Sequence, residues 1–125
     1  MREVIINKEK FNHVFKAISD FYGLLANPDR VKILGLLINQ ERDVHDLQEM
    51  LGISQSRVSQ HLKLLKLNKM VEERREGKHV YYHVKDANVS SVVASALQFY
   101  MLTIHEPKEL KLLSELLNLW RQNEQ

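Results

Sequence analysis

Apolar residues recur at three- and four-residue intervals along most of the 125-residue chain, and this spacing predicts helices. One stretch differs: from Val71 to Val84 the side chains alternate, which predicts two strands around the turn Glu76-Gly77-Lys78. The predicted helices run from about Lys8 to Leu25, Pro28 to about Ile38, Val44 to Leu51, Ser54 to Leu67, Ala87 to about Ile104, and onward from Pro107. No linker rich in Pro, Gly or Ser interrupts the series, so residues 1–125 are expected to form a single domain, mainly α with a small β-hairpin.

Polar residues suited to capping precede three of these helices. Asn27, Ser54 and Asp86 each carry a side-chain oxygen that can accept a hydrogen bond from a free N–H of the first turn. Pro28 follows Asn27 at a position where its missing N–H costs little. The helix after Pro28 is so rich in Leu, Ile and Val that it is expected to be nearly all buried.

The stretch from Val44 to Leu67 has the pattern of two short helices joined by a tight turn. Gly52 can adopt the left-handed conformation that ends the first helix, and Ser54 can cap the second. The second helix carries Val58, His61, Leu62 and Leu65 on one face, and Ser56, Ser59, Gln60 and Lys63 on the other. Ser, Gln and Lys can contact base edges and phosphates in the major groove of DNA. A helical hairpin with a solvated polar face would look similar, but the predicted basic-tipped strand pair that follows favours a winged helix-turn-helix.

Positive charge concentrates on the same part of the chain. The whole chain has a net charge of only +2, but residues 54–85 contain eight Lys or Arg and three Glu, a net +5, which leaves −3 elsewhere. In the strand after the turn, Val80, Tyr82 and Val84 are expected to face one side, and His79, Tyr81 and His83 the other. Charge collected on the second helix and the hairpin is typical of phosphate contact.

These motifs together resemble the ArsR/SmtB family of bacterial and archaeal repressors. The resemblance lies in the run from Ser54 to Lys63, the run from Arg74 to Tyr82, and Ala26-Asn27-Pro28-Asp29-Arg30 upstream. It implies a homodimeric repressor that binds a pseudo-palindromic operator and is often released by a metal or another inducer. The residues expected to contact DNA are Ser54, Gln55, Ser56, Arg57, Ser59, Gln60, His61 and Lys63 on the helix, with Arg74, Arg75, Lys78 and His79 on the hairpin.

Apolar stripes on the terminal helices, about 8–25 and 87–122, exceed what the core of one small domain needs. The family's dimer is built from its first and last helices, so the resemblance implies that these stripes form a homodimer interface. The residues expected there are Phe11, Val14, Phe15, Ile18, Val93, Leu97, Tyr100, Leu110, Leu113, Leu117 and Trp120.

The family's thiolate metal site is replaced in this chain. The family often has two Cys in the window that here runs from Glu41 to Leu47, but this chain contains no Cys, and Asp43 and His45 stand in their places. Carboxylate and imidazole can bind zinc or nickel, although acidic and polar residues at a helix start are also explained by capping.

The family's second metal site also lacks its usual ligands. Asp86-Ala87-Asn88 stands where Asp-x-His is expected, Phe99 occupies the position of a second His, and His105-Glu106 come six residues late. We therefore predict no metal site and no cofactor, with Asp43 and His45 as the remaining candidate ligands.

The chain contains no Gly-rich phosphate loop, no Cys nucleophile and no Ser-His-Asp grouping beyond what helix caps and a DNA-binding face explain, so we predict that it is not an enzyme. It also lacks an apolar run of roughly 18 residues and a signal peptide's apolar segment, so it is expected to be cytoplasmic. The interpretation is a homodimeric DNA-binding repressor whose inducer is unknown. Two alternatives stay open: a winged helix that binds proteins instead of DNA, and a metal-responsive repressor with Asp and His ligands.

Overall fold

A computed structural model describes residues 7–103 and 107–122 of the chain. The helices are α1 (Lys8–Leu25), α2 (Pro28–Leu37), α3 (Val44–Leu51), α4 (Gln55–Leu67), α5 (Ala87–Met101) and α6 (Pro107–Gln122), and strands β1 (Glu72–Glu76) and β2 (His79–His83) lie between α4 and α5. This order and the antiparallel strand pair confirm the predicted mainly α, winged helix-turn-helix fold.

The predicted caps form as expected. The side chains of Asn27, Ser54 and Asp86 each accept a hydrogen bond from a backbone N–H two or three residues further on, at distances of 3.1, 3.2 and 2.8 Å. Pro28 occupies the first helical position of α2. Each of these helices therefore begins where its short polar residue can satisfy an N–H that has no partner inside the helix.

Helix α5 is shorter than the sequence predicted. It ends at Met101 instead of about Ile104, which lies outside the described residues. The N–H of Thr103 donates to the carbonyl oxygen of Tyr100 at 3.0 Å, and the Thr103 hydroxyl donates to the same oxygen at 2.8 Å. Bonds at three-residue spacing tighten the last turn and stop the regular α-helical ladder.

The core lies where α2, α3, α4, the hairpin and α5 meet. Its fully or almost fully buried members are Ile33, Leu34, Leu37, Ile38, Leu47, Val58, Leu62, Leu65, Met70, Val71, Val84, Val89 and Val93. The prediction that α2 is nearly all buried is wrong for one side of that helix, because Val31 is exposed and Leu36 is half-buried. That side of α2 faces an open groove instead of the core.

The hairpin is closed by a two-residue turn and held to the body by a backbone bridge. Glu76 pairs with His79, so Gly77 and Lys78 form the turn, and Gly77 has a φ of 60°. Arg42 and Tyr82 exchange two backbone hydrogen bonds, of 3.1 and 2.8 Å, in a bridge that the sequence did not predict. The hairpin is therefore anchored at its base while its tip projects.

Helix α6 packs against its own chain. The indole N–H of Trp120 donates to the carbonyl oxygen of Gly35 at 3.0 Å, and the Asn39 amide donates to the carbonyl oxygen of Leu119. Leu117 is buried. Among the described residues, no helix is both long and apolar enough to cross a membrane.

Candidate nucleic-acid interface

Helix α4 is held in position by the turn that precedes it and by the packing of its inner face. Gly52 ends α3 in the left-handed conformation with a φ of 69°, and its N–H donates to the carbonyl oxygen of Gln48 at 2.9 Å. On the inner face of α4, Val58, Leu62 and Leu65 are fully buried or nearly so. Because side chains in a packed core hold discrete positions, the direction of the outer face is set by this packing.

The side chains on the outer face of α4 are exposed to solvent. Ser56, Ser59, Gln60 and Lys63 are all exposed. Within residues 7–103 and 107–122, none of these four side chains forms a hydrogen bond or an ion pair. Their donors and acceptors therefore point to solvent, ready to bond to a partner without first breaking an internal contact.

Arg57 and His61 lie at the edge of this face, beside α2. The guanidinium of Arg57 is 3.5 Å from the carboxylate of Asp29, and the imidazole Nε2 of His61 is 4.0 Å from the same group. Only 13% of the His61 side chain is exposed. Burial lowers the pKa of His61, and the positive charge of Arg30 adds to this effect. His61 thus contributes to the packed face of α4 more than to its outer face.

Ser54 and Gln55 begin the helix. The hydroxyl of Ser54 is already used as the cap, since it accepts from the N–H of Arg57. Gln55 is exposed in the first turn of α4.

Arg74, in the middle of β1, is already paired with carboxylates of its own chain. Arg74 donates to the carboxylates of Glu41 and Glu76, both at 2.9 Å, and its guanidinium lies 4.9 Å from the centre of the Tyr81 ring. The hydrogen bonds to Glu76 and Glu41 raise the pKa of Arg74, and the bond from Arg74 lowers the pKa of Glu76. Much of the positive charge of Arg74 is therefore neutralised inside the protein.

A third carboxylate, that of Glu73, pairs with two more cations. Glu73 lies 2.8 Å from the ammonium of Lys66 and 3.5 Å from the guanidinium of Arg75. The hydrogen bond from Lys66 is the main reason that the pKa of Glu73 is lowered. The contact between Glu41 and Arg74 could not be predicted from the sequence, because the two residues lie 33 positions apart and no local pattern links them.

The tip of the hairpin is different. Lys78 is exposed and forms no ion pair with any described residue. His79 is also exposed, and its ring stacks on Tyr81 with centroids 6.0 Å apart. Lys78 is thus the cation of the hairpin best placed for a phosphate.

The two candidate metal ligands serve the start of α3. Asp43 accepts a hydrogen bond from the N–H of Asp46 at 2.8 Å, and His45 lies 3.3 Å from the carboxylate of Glu49. Across the part of the chain that is described, no three His, Asp or Glu side chains converge in a way that could hold a metal ion. His105 and Glu106 lie outside that part.

The structure divides the residues expected at a dimer interface into three groups by their exposure. Phe11, Val14, Phe15, Ile18 and Tyr100 are exposed, Leu97, Leu110, Leu113 and Trp120 are half-buried, and Val93 and Leu117 are buried within the protomer. Val93 and Leu117 therefore support the surface from beneath and do not lie on it. No residue of α1 is fully buried: Phe11 and Phe15 of its apolar stripe face solvent in the single chain, whereas Phe21 is half-buried against the core.

Known proteins with similar sequences identify the family of this chain. The family model described as "Bacterial regulatory protein, arsR family" matches residues 27–72. The chain is 36% identical over 84 residues to a protein of Synechocystis called transcriptional repressor SmtB homolog, an alignment that covers 65% of this chain and 64% of that protein. It is 34% identical over 88 residues to the transcriptional repressor SdpR of Bacillus subtilis, covering 70% and 90% of the two chains.

A solved structure agrees with the sequence comparisons. The homodimeric winged helix-turn-helix DNA-binding domain of a possible ArsR-family regulator from Mycobacterium bovis superposes with a TM-score of 0.65 at 28% identity, covering 80% of this chain and 90% of that one. The described helices and hairpin, the matched segment and these relatives lead to one conclusion: the chain belongs to the ArsR/SmtB family of regulatory proteins.

Proposed function

We propose that this protein is a homodimeric transcriptional repressor that binds a pseudo-palindromic operator and carries out no catalysis. The observation that carries the proposal is the outer face of α4, where Ser56, Ser59, Gln60 and Lys63 are exposed and form no internal contact. Gln can bond to adenine, Lys to guanine, and Ser to either base edge or to a phosphate, so this set suits sequence reading in the major groove.

The hairpin supports the proposal from beside the groove. Lys78 at its tip is placed to contact phosphate, and such contacts hold the register of the protein without reading sequence. Arg74 and Arg75 contribute less, because carboxylates of the same chain already neutralise them.

Dimer formation is supported by the apolar face of α1. Phe11 and Phe15 pack on each other with ring centroids 4.6 Å apart, yet they remain 43% and 54% exposed. Soluble monomers rarely expose contiguous apolar patches above a few hundred Å². A two-fold dimer would cover the patch from both sides and set its two recognition helices about 34 Å apart, one turn of DNA.

The first experiment is selection of bound fragments from the genomic DNA of the source. The wild-type protein should enrich sequences with two inverted half-sites whose centres lie about 10 base pairs, or a multiple of that, apart. A Ser59→Glu variant is the matched control, because it places one negative charge on the exposed outer face and leaves the core intact. Recovery of no shared sequence by the wild-type protein would contradict base-specific binding and favour the protein-binding alternative.

A second experiment tests the dimer. Phe15→Glu should convert the protein to a folded monomer with much weaker operator binding, because each half-site would then be held alone. The same change at Leu112, an exposed leucine of α6, tests whether the last helix contributes. Light scattering gives the mass and circular dichroism confirms folding. A Phe15→Glu variant that remains a dimer with undiminished operator affinity would exclude α1 from the interface.

A metal-responsive repressor is the second candidate, and the structure gives it little support. Asp43 and His45 are engaged in capping and in the contact with Glu49. A chain without Cys would need oxygen and imidazole ligands from elsewhere to complete a site.

A further inference from the structure

An apolar groove lies between α2, α3 and α6, away from the outer face of α4. It has a volume of about 360 Å³, within the range of roughly 300–1,000 Å³ that is common for small-molecule sites. Its lining consists of Val31, Lys32, Gly35, Leu36, Met50, Leu51, Leu116 and Trp120. Three separate elements therefore shape one concave surface.

The wall formed by Trp120 is held in place. Its indole N–H donates to the carbonyl oxygen of Gly35, and a Cβ added at Gly35 would lie only 2.7 Å from the indole ring. A glycine at this position is what lets the indole pack closely on α2. Because the indole N–H is already bonded, the ring offers the groove an apolar surface.

Two other lining residues explain why the groove suits an apolar guest. Met50 is 51% exposed and Val31 is 36% exposed, and both border the open side of the groove. Met is flexible enough to adapt to a ligand. Removing this apolar surface from water favours binding.

One charge faces the groove. Lys32 is the single charged side chain in the lining, and no described residue forms an ion pair with it. A cation at the border of an apolar surface favours a ligand that has an apolar body and one anionic group.

We propose that the groove binds a small aliphatic carboxylate, with its chain against Met50, Leu116 and Trp120 and its carboxylate at Lys32. Met50 and Leu51 belong to α3, the first helix of the helix-turn-helix. An occupant that packs on α3 changes how this helix sits on α2, and through the short turn it changes the position of α4. Bound carboxylate thereby alters operator affinity, a regulatory consequence that rests on the proposed function.

The chain carries its own reporter of occupancy, because Trp120 is its single tryptophan. Decanoate, titrated below its micelle-forming concentration, should shift the tryptophan emission to shorter wavelength and saturate. Decylammonium of the same chain length should bind about tenfold more weakly, because Lys32 would repel it. An absence of saturable change with decanoate, or equal affinities for the two probes, would overturn the proposal.

Three variants locate the site. Lys32→Gln should abolish the preference for carboxylate, whereas Lys111→Gln, a matched change at an exposed lysine of α6 outside the lining, should retain it. Val31→Phe should fill the groove from its open side and remove the saturable response, with circular dichroism confirming the fold. An unchanged preference in Lys32→Gln, or an unchanged response in Val31→Phe, would show that the probe binds elsewhere and would overturn the proposal.

Operator titration with and without decanoate separates the two proposals. A saturable tryptophan response with unchanged operator affinity would overturn the regulatory consequence and leave the binding site intact. Failure to bind any operator in either condition would overturn the proposed function, while the tryptophan titration would still decide whether the groove binds carboxylate.

Discussion

The outer face of α4 and the hairpin both carry positive side chains, but those on the hairpin are largely paired with carboxylates and those on the outer face of α4 are not. On α4, Lys63 and its polar neighbours have no internal partner among the described residues. On the hairpin, Arg74 is held by two glutamates, and Arg75 shares Glu73 with Lys66. Charge counted along the sequence therefore overstates what the hairpin can offer to DNA.

The difference follows from the supply of nearby carboxylates. No acidic residue occurs between Ser54 and Val71, whereas Glu72, Glu73 and Glu76 flank the two arginines of β1 on both sides. A phosphate that approached Arg74 would have to compete with carboxylates already in place, and this competition lowers the net gain. We therefore expect α4 to read the sequence in the proposed complex, and the tip of the hairpin to supply most of the general attraction to phosphate.

The largest effect is expected on α4. Gln60→Ala should weaken operator binding by about 1–3 kcal/mol, because a bidentate contact to a base would be lost. Binding to random DNA should hardly change. Gln98→Ala, at an exposed glutamine of α5, is the matched control. Equal losses on operator and random DNA would contradict the assignment of sequence reading to this face.

A smaller and more uniform effect is expected at the tip of the hairpin. Lys78→Ala should weaken binding to all sequences and reduce the slope of log affinity against log salt concentration by about one. Arg74→Ala should reduce that slope by less, because Glu41 and Glu76 already neutralise the guanidinium. Titrations at several salt concentrations measure both slopes. A larger change for Arg74→Ala than for Lys78→Ala would contradict the expectation that the carboxylates keep Arg74 from phosphate.

Removing a carboxylate from the hairpin should strengthen DNA binding, whereas removing a cation should weaken it. Glu73→Gln frees the charges of Lys66 and Arg75, so it should strengthen non-specific binding and steepen the salt slope by up to about one. Glu115→Gln, on α6, is the control for the change in net charge alone. If both variants bind DNA equally well, Glu73 does not mask the hairpin.

The smallest effect concerns the inner face of α4. Burial lowers the pKa of His61 below its ordinary value of 6.5, so the unfolded chain binds a proton more readily than the folded chain. Neutral His61 therefore contributes fully to the free energy of unfolding above pH 6.5. This contribution is lost as the pH falls from 6.5 through the lower pKa that His61 has in the folded protein. Urea unfolding from neutral pH to about pH 5 should show a steeper loss in the wild type than in His61→Gln. Parallel losses would mean that His61 is not desolvated.

Local signals in the sequence predicted the elements well. Helix α1 spans Lys8–Leu25 as predicted, and Asn27, Ser54 and Asp86 cap the helices that they were expected to start. These features depend on residues within a few positions of one another, so spacing and side-chain type are sufficient. The two faces of α4 were predictable for the same reason.

Contacts between distant segments were not predictable in this way. Trp120 bonds to Gly35 across 85 residues, and this contact turns α6 toward its own α2. Glu41 reaches Arg74 because a backbone bridge brings Arg42 alongside Tyr82. Periodicity shows that a face is apolar or a cluster is basic, but it does not show which segment of the chain covers that face or neutralises that cluster.

The junction between α1 and α2 controls the direction in which α1 projects. Arg30 donates from its side chain to the carbonyl oxygens of Leu24 and Gly23, at 2.7 and 3.3 Å, and so ties the end of α1 to the start of α2. An 18-residue helix is about 27 Å long, so a tilt of about 10° at this joint would move the far end of α1 by about 5 Å. In the proposed dimer, where α1 reaches the partner subunit, two hydrogen bonds from one guanidinium would thus help to set the tolerance for the length of the operator spacer.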